Sequence, residues 1–147
     1  MKKFLAMLLT LSMVLSMAVG AVTVFAETEE TRVIVDSMDR SVEIPADVQR
    51  IVCVGVGALR YTCYVGGADR VVGAEDYEPK PGMSRLYHYV NFDRFKDLPV
   101  TGTNGEPFVE EIINVEPQVI VMSTYAKQDP DELSQKTGTP VVVVPGS

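Results

Sequence analysis

Residues 50–76 read RIVCVGVGALRYTCYVGGADRVVGAED. The apolar run at 51–56 has no polar face to turn to water, so it reads as a strand buried on both sides, as strands of parallel sheets are. Glycines at 55 and 57 break the run into a turn, residues 58–65 form a short helix, and Gly66-Gly67 stops that helix. Residues 70–74 then make a second strand, which runs into the acids Glu75 and Asp76. The unit is βαβ. Such units place small-molecule contacts at the carboxyl end of the strand, where the turn enters the helix.

Upstream, RVIVD (32–36) and SVEIP (41–45) alternate as two short strands around a turn at 37–40, and Pro45 ends the second. Downstream, residues 75–97 lack periodicity, carry Pro79, Pro81 and Gly82, and hold three of the six tyrosines. This segment reads as a long loop, and loops of that length are more often functional than idle. The strand–helix rhythm then resumes: a strand at 98–101, a turn at 102–105, and a helix at 107–114 with Phe108, Val109, Ile112 and Ile113 on one stripe. A buried strand follows at 118–122. Asp129 as N-cap, Pro130 at N1 and Glu132 at N3 open the next helix, Gly138 closes it, and PVVVV (140–144) is the last strand. The predicted fold is α/β: a single lobe with a mainly parallel sheet flanked by helices, preceded by a short β-hairpin. The chain stops at Ser147, where another helix is due.

The N-terminus predicts the compartment. Lys2 and Lys3 precede an apolar run at 4–19, and Val24-Phe25-Ala26 is a small-x-small cleavage site before Glu27. The reading is a signal peptide at 1–26 cleaved after Ala26, with the protein exported to the periplasm or the extracellular face. An uncleaved membrane anchor is the alternative. Removing 26 residues takes away two lysines and no acid, leaving 121 residues with a net charge of −9. That length suits one domain. So acidic a chain gains nothing from counterion release, which argues against nucleic acid as a partner.

Within the chain, Cys53 on the buried strand and Cys63 on the helix above it are placed either for a bridge or as two small hydrophobes. Gly55-x-Gly57-x-x-Arg60 with Glu75 twenty residues on has the outline of a dinucleotide fingerprint, but Arg60 stands where the third glycine belongs. Arg60, Tyr61, Tyr64, Tyr77, Arg85, Tyr87 and Tyr89 combine forked cations with amphipathic rings, a set suited to a bulky anionic ligand. Packing of the same tyrosines in the core or over the sheet edge is the competing account. His88, the only histidine, reads as a surface residue of a polar loop, and alone it makes no zinc site. No serine or cysteine nucleophile sits in a recognisable catalytic setting, so no enzyme activity is predicted.

Taken as a series, the βαβ stretch at 50–76, FKDLPVTGTNGEPFVEEIINVEPQVIV (95–121) and ELSQKTGTPVVVV (132–144) resemble the N-terminal lobe of substrate-binding proteins of ABC importers. The nearest group is the one that binds ferric siderophores, haem and corrinoids. The resemblance implies a two-lobed protein with the ligand between the lobes, of which residues 27–147 form the N-terminal lobe and the C-terminal lobe is absent. It implies no intrinsic cofactor, an iron chelate, haem or corrinoid as ligand, and a permease as partner. The cleft-facing positions it implies are Gly57, Arg60, Tyr61, Tyr77, Arg85, Tyr87, Tyr89, Thr103, Asn104, Thr124 and Tyr125. Asp97 and Glu106 are the two candidates for the acid that docks on the permease. A truncated lobe without transport function, and an exported α/β enzyme with its catalytic residues beyond Ser147, are the alternatives.

Overall fold

The computed structural model describes residues 30–78, 80 and 85–146, so the apolar N-terminal run and its cleavage site lie outside the described residues. The chain begins with the hairpin β1 (Thr31–Val35) and β2 (Ser41–Pro45), antiparallel, with Val33 opposite Glu43. Six strands follow in a second sheet: β3 (Ile51–Val54), β4 (Val71–Glu75), β5 (Val100–Thr103), β6 (Glu106–Pro107), β7 (Val119–Ser123) and β8 (Val141–Val144). Their spatial order is β6-β5-β4-β3-β7-β8, and every pairing is parallel except that of β6 with β5. The helices are α1 (Ala58–Tyr64), α2 (Leu86–Phe95), α3 (Val109–Asn114) and α4 (Pro130–Thr137), with a 3₁₀ turn at Ala68–Arg70 before β4.

Period-2 alternation divides the strands between two cores. Ile51 and Cys53 of β3 with Val119 of β7 face Ala58 and Leu59 of α1 and Tyr87 and Phe95 of α2. Ile44 of the hairpin and Val48 join that side. Val52, Val54, Ile120, Met122, Val141 and Val143 face Ile112 of α3 and Leu133 of α4 on the other. Helices therefore cover both faces, which is why the central strands read as unbroken apolar runs. Asp129 caps α4 as its sequence predicts, accepting from the backbone N–H of Asp131 at 2.9 Å and of Glu132 at 3.0 Å.

Three readings need correction. Residues 75–97 are not one long loop, because α2 occupies ten of them. Its periodicity is hidden by inversion: Leu86 and Val90 are 76% and 72% exposed, while Tyr87 and His88 point inward. His88 accordingly is no surface residue. It is fully buried between Phe92 and Phe95, its Nε2 paired with the carbonyl of Glu78. The predicted turn at 102–105 shrinks to Asn104-Gly105, since Gly102 and Thr103 belong to β5. Both cysteines are free thiols: burial pushes Cys53 up to about 12 and Cys63 up to about 11, so neither carries thiolate at neutral pH.

Candidate ligand cleft

All five parallel strands end on one rim, and the turns that follow them build the site. The chain runs from β3 outward to β4 and β5, then returns to place β7 and β8 on the other side of β3. The switch point, where such sheets usually open a crevice, is therefore between β3 and β7. Here it is closed. A Cβ on Gly55 would lie 2.5 Å from Ser123 Oγ and 3.2 Å from the backbone nitrogen of Ala126, so glycine lets the two turns touch. The Tyr125 ring lies against Gly146, whose carbonyl in turn lies beside Gly57.

A buried carboxylate fixes the rim from beneath. Glu75, at the end of β4, is 2% exposed, and its Oε1 accepts from the N–H of Gly55 and the N–H of Gly105, each at 2.8 Å. Gly105 in turn accepts from the Lys127 N–H at 2.8 Å, which ties in the turn after β7. The acid twenty residues after Gly55 thus holds its own loops together and is not presented to a ribose. The dinucleotide outline has no structural counterpart.

The open cleft lies beside the switch point, over α1 and the start of α2. It has a volume of about 280 Å³ and is lined by Val56, Gly57, Arg60, Tyr64, Arg85, Leu86 and Tyr87. Gly57 adopts φ 97°, the left-handed region that favours glycine, and from it α1 starts and sends Arg60 back over the turn. The cleft wall is mixed: Val56, Tyr64 and Leu86 expose apolar surface beside two guanidinium groups. Tyr64 meets Tyr87 edge to face with centroids 6.4 Å apart.

Arg85 is held by its surroundings. Its Nη1 donates to Glu78 Oε2 at 2.9 Å and to the Tyr87 hydroxyl at 3.3 Å, and its Nη2 reaches the Tyr77 carbonyl at 3.4 Å. The guanidinium lies 5.2 Å from the Tyr77 ring centroid and 5.9 Å from that of Tyr87. The Tyr87 hydroxyl donates to Glu78 Oε1 at 3.1 Å. Burial pushes the Glu78 carboxyl above its ordinary value, while Arg85 and the Tyr87 hydroxyl pull it back. Burial and the Glu75 and Glu78 carboxylates raise the Tyr77 hydroxyl well beyond its usual range, so it stays protonated.

Of the residues named from sequence, Gly57, Arg60, Tyr64, Arg85 and Tyr87 therefore meet in one cleft. Tyr77 lies behind Arg85, and the Arg60 guanidinium sits 5.3 Å from the Tyr61 ring centroid. Thr103 is turned inward, its Oγ1 donating to Asp76 Oδ1 at 3.1 Å. Asn104, Thr124 and Tyr125 are exposed elsewhere on the rim, and Tyr89 is exposed on α2 outside the cleft lining. Glu106 is exposed on β6 at the rim, whereas Asp97 follows α2 near the amino ends of the strands. Sequence reasoning missed Glu78, which no local pattern marks, because its role comes from packing against Arg85 and Tyr87. Among the described residues no cluster of three or more His, Cys, Asp or Glu is placed to hold a metal ion.

No protein-family model matches the sequence, and neither does any curated protein. Solved structures do match. The fold is that of one lobe of the solute-binding proteins of ABC importers, which the chain resembles over about 78% of its length. The molybdate periplasmic binding protein MolA of Haemophilus influenzae superposes with a TM-score of 0.62 at 21% identity, over 78% of this chain and 34% of that one. The periplasmic catecholate-siderophore binding protein VctP of Vibrio cholerae gives 0.59 at 27%, over 78% and 37%. Staphylococcus aureus SirA, solved with staphyloferrin B, gives 0.59 at 28%, over 78% and 36%. The chain thus spans little more than a third of the length of these structures.

Proposed function

We propose that this chain is the extracytoplasmic solute-binding component of an ABC importer and that its cleft takes a metal-bearing anion, an iron–siderophore complex or a related chelate such as haem or a corrinoid. The observation that carries the reading is the cleft itself: two arginines and exposed Tyr64, Val56 and Leu86 around one opening at the carboxyl rim of a parallel sheet. A chelate of this kind presents carboxylate or catecholate oxygens around an otherwise apolar body. Guanidinium forks match the oxygens and the rings match the body. The neighbours named above agree at the coarse level, since their ligands include molybdate and a catecholate siderophore.

In this reading the chain supplies one wall of the ligand site, and its chemistry is capture and release, with no bond made or broken. The ligand exchanges water for the cleft wall, and the apolar lining strengthens the arginine contacts by excluding solvent. Residues 1–26 act as the signal peptide, removed after Ala26. The partner is the importer's permease. Glu106 is the favoured docking acid because it stands on the rim that bears the cleft, while Asp97 is near the amino ends of the strands.

The test is a titration of the chain with ferric tris(2,3-dihydroxybenzoate), read by quenching of tyrosine fluorescence, since the chain has no tryptophan. Arg60→Ala is expected to weaken binding by about tenfold or more, the loss of one charge-assisted contact. Arg85→Ala should weaken it less, because Arg85 already has an internal carboxylate partner. Unchanged affinity in both variants would sink the assigned site.

A further inference from the structure

We propose that Glu78 is a positioning residue for the cleft: its carboxylate holds the Arg85 guanidinium between the Tyr77 and Tyr87 rings and cancels its charge, leaving Arg60 as the cleft's uncompensated cation. The inference rests on the cleft proposed above but concerns how it is set. Glu78 is 2% exposed and uses both carboxylate oxygens, Oε2 toward Arg85 and Oε1 toward the Tyr87 hydroxyl. Its main-chain carbonyl is held as well, by the buried ring of His88. Glu78 is therefore anchored from α2 at two points, its carboxylate by Tyr87 and its main chain by His88, and the guanidinium is anchored by the carboxylate.

A free arginine side chain samples many rotamers, and ordering it on a ligand costs entropy. Arg85 is ordered in advance by an ion pair at 2.9 Å, a carbonyl contact and two aromatic faces. Its planar group is thereby fixed in the cleft lining beside Leu86 and Tyr87. Among the described residues no carboxylate forms an ion pair with Arg60. The cleft thus offers two guanidinium donors but a single uncompensated positive charge. That combination favours a ligand whose facing oxygens carry low charge density, as delocalised chelate oxygens do, over a compact polyanion, which would be drawn to two uncompensated cations. The other ionisable groups that face the Glu78 carboxylate are Cys53 from β3, Glu75 from β4, Tyr77 after it, Tyr87 and His88 from α2, and Cys63 from α1.

Arginine reactivity tests the positioning without any ligand. The chain is treated with phenylglyoxal, and the ratio of Arg85 to Arg60 modification is read by peptide mass spectrometry. In the parent chain Arg85 is expected to lag. In Glu78→Gln, which preserves the shape of the side chain, the ratio should rise about tenfold, the effect of losing one charge-assisted bond. The Arg85 guanidinium ¹⁵N resonances should also shift with pH between neutral and acid in the parent chain and be flat in the Gln variant, a signature that packing alone would not produce. A ratio unchanged in Glu78→Gln, or an identical pH profile in both chains, overturns the proposal. Ferric tris(2,3-dihydroxybenzoate) and inorganic phosphate are then titrated into both chains. The Gln variant should gain more affinity for phosphate than for the chelate, and the reverse order contradicts the selectivity argument. If Arg85 is released as expected while the chelate binds neither chain, the positioning stands and the chelate reading fails.

Discussion

Replacing Glu75 by alanine is expected to destabilise the lobe by about 2–6 kcal/mol, because two backbone N–H groups lose their acceptor at once and each such loss costs about 1–3 kcal/mol. The N–H groups are those of Gly55 and Gly105, both buried and both held at 2.8 Å by the same oxygen. Against a total stability of about 5–15 kcal/mol for a domain, this is a large fraction, and the melting temperature should fall by at least about 10 °C. Binding should go with it, since the turn that launches α1 and places Arg60 is pinned by this carboxylate. Glu75→Gln separates acceptor from charge. The amide keeps an oxygen for the two donors, so it should lose much less stability than alanine. Thermal melts of the two variants decide the matter, and equal melting points for both would show that the two hydrogen bonds contribute little.

The second large effect is at the hairpin. Asp36 lies at the end of β1 with its side chain fully buried, and it accepts five hydrogen bonds. Oδ1 takes the N–H groups of Met38 and Arg40, while Oδ2 takes Arg40 Nε at 3.0 Å, Arg40 Nη2 at 2.7 Å and the Val143 N–H at 3.2 Å. The residue therefore closes the hairpin turn and also fastens it to β8, the edge strand of the large sheet. Arg40 extends the clamp by donating to the Val141 carbonyl at 2.7 Å. Asp36→Ala takes the buried carboxylate from the mostly buried Arg40 guanidinium, which keeps only the exposed Asp131 and the Val141 carbonyl, and leaves the Val143 N–H without its acceptor; a loss of about 3–5 kcal/mol is expected, as for other buried pairs broken on one side.

The same carboxylate predicts a pH dependence. Burial opposes its ionisation, but the Arg40 side chain and the three backbone donors outweigh burial and hold it below its ordinary value of 3.8. A carboxylate depressed on folding contributes stability in full above its unfolded value and loses it as pH falls through the folded value. The stability gap between the parent chain and Asp36→Asn should therefore be level from pH 7 to about pH 5 and narrow below about pH 4. Denaturant melts across that range check it, and a gap that widens on acidification would contradict the assignment.

Much of this fold was legible because it is written in short-range chemistry. Unbroken apolar runs at β3, β7 and β8 announce strands covered on both faces, and Asp129, Pro130 and Gly138 punctuate α4 by capping rules that act within a few residues. α2 was illegible for a physical reason. It buries His88 and Tyr87, whose polar atoms are satisfied by Glu78, and leaves Leu86 and Val90 outside, so hydropathy has no stripe to follow. The site shows the same division. Gly57 and Arg60 follow from the strand–turn–helix pattern, but the partners of Glu75 and Glu78 lie up to thirty positions away, and only the folded sheet brings them within reach.

The central claim, that the cleft over α1 and α2 takes a metal-bearing anion, is most directly tested by mapping amide chemical shifts of the ¹⁵N-labelled chain during titration with gallium tris(2,3-dihydroxybenzoate), the diamagnetic counterpart of the ferric complex. Saturable shifts should concentrate at Val56, Gly57, Arg60, Tyr64 and 85–87, with the hairpin and α4 unmoved. Shifts centred on the hairpin or on α3 and α4, or none at millimolar chelate, would contradict it.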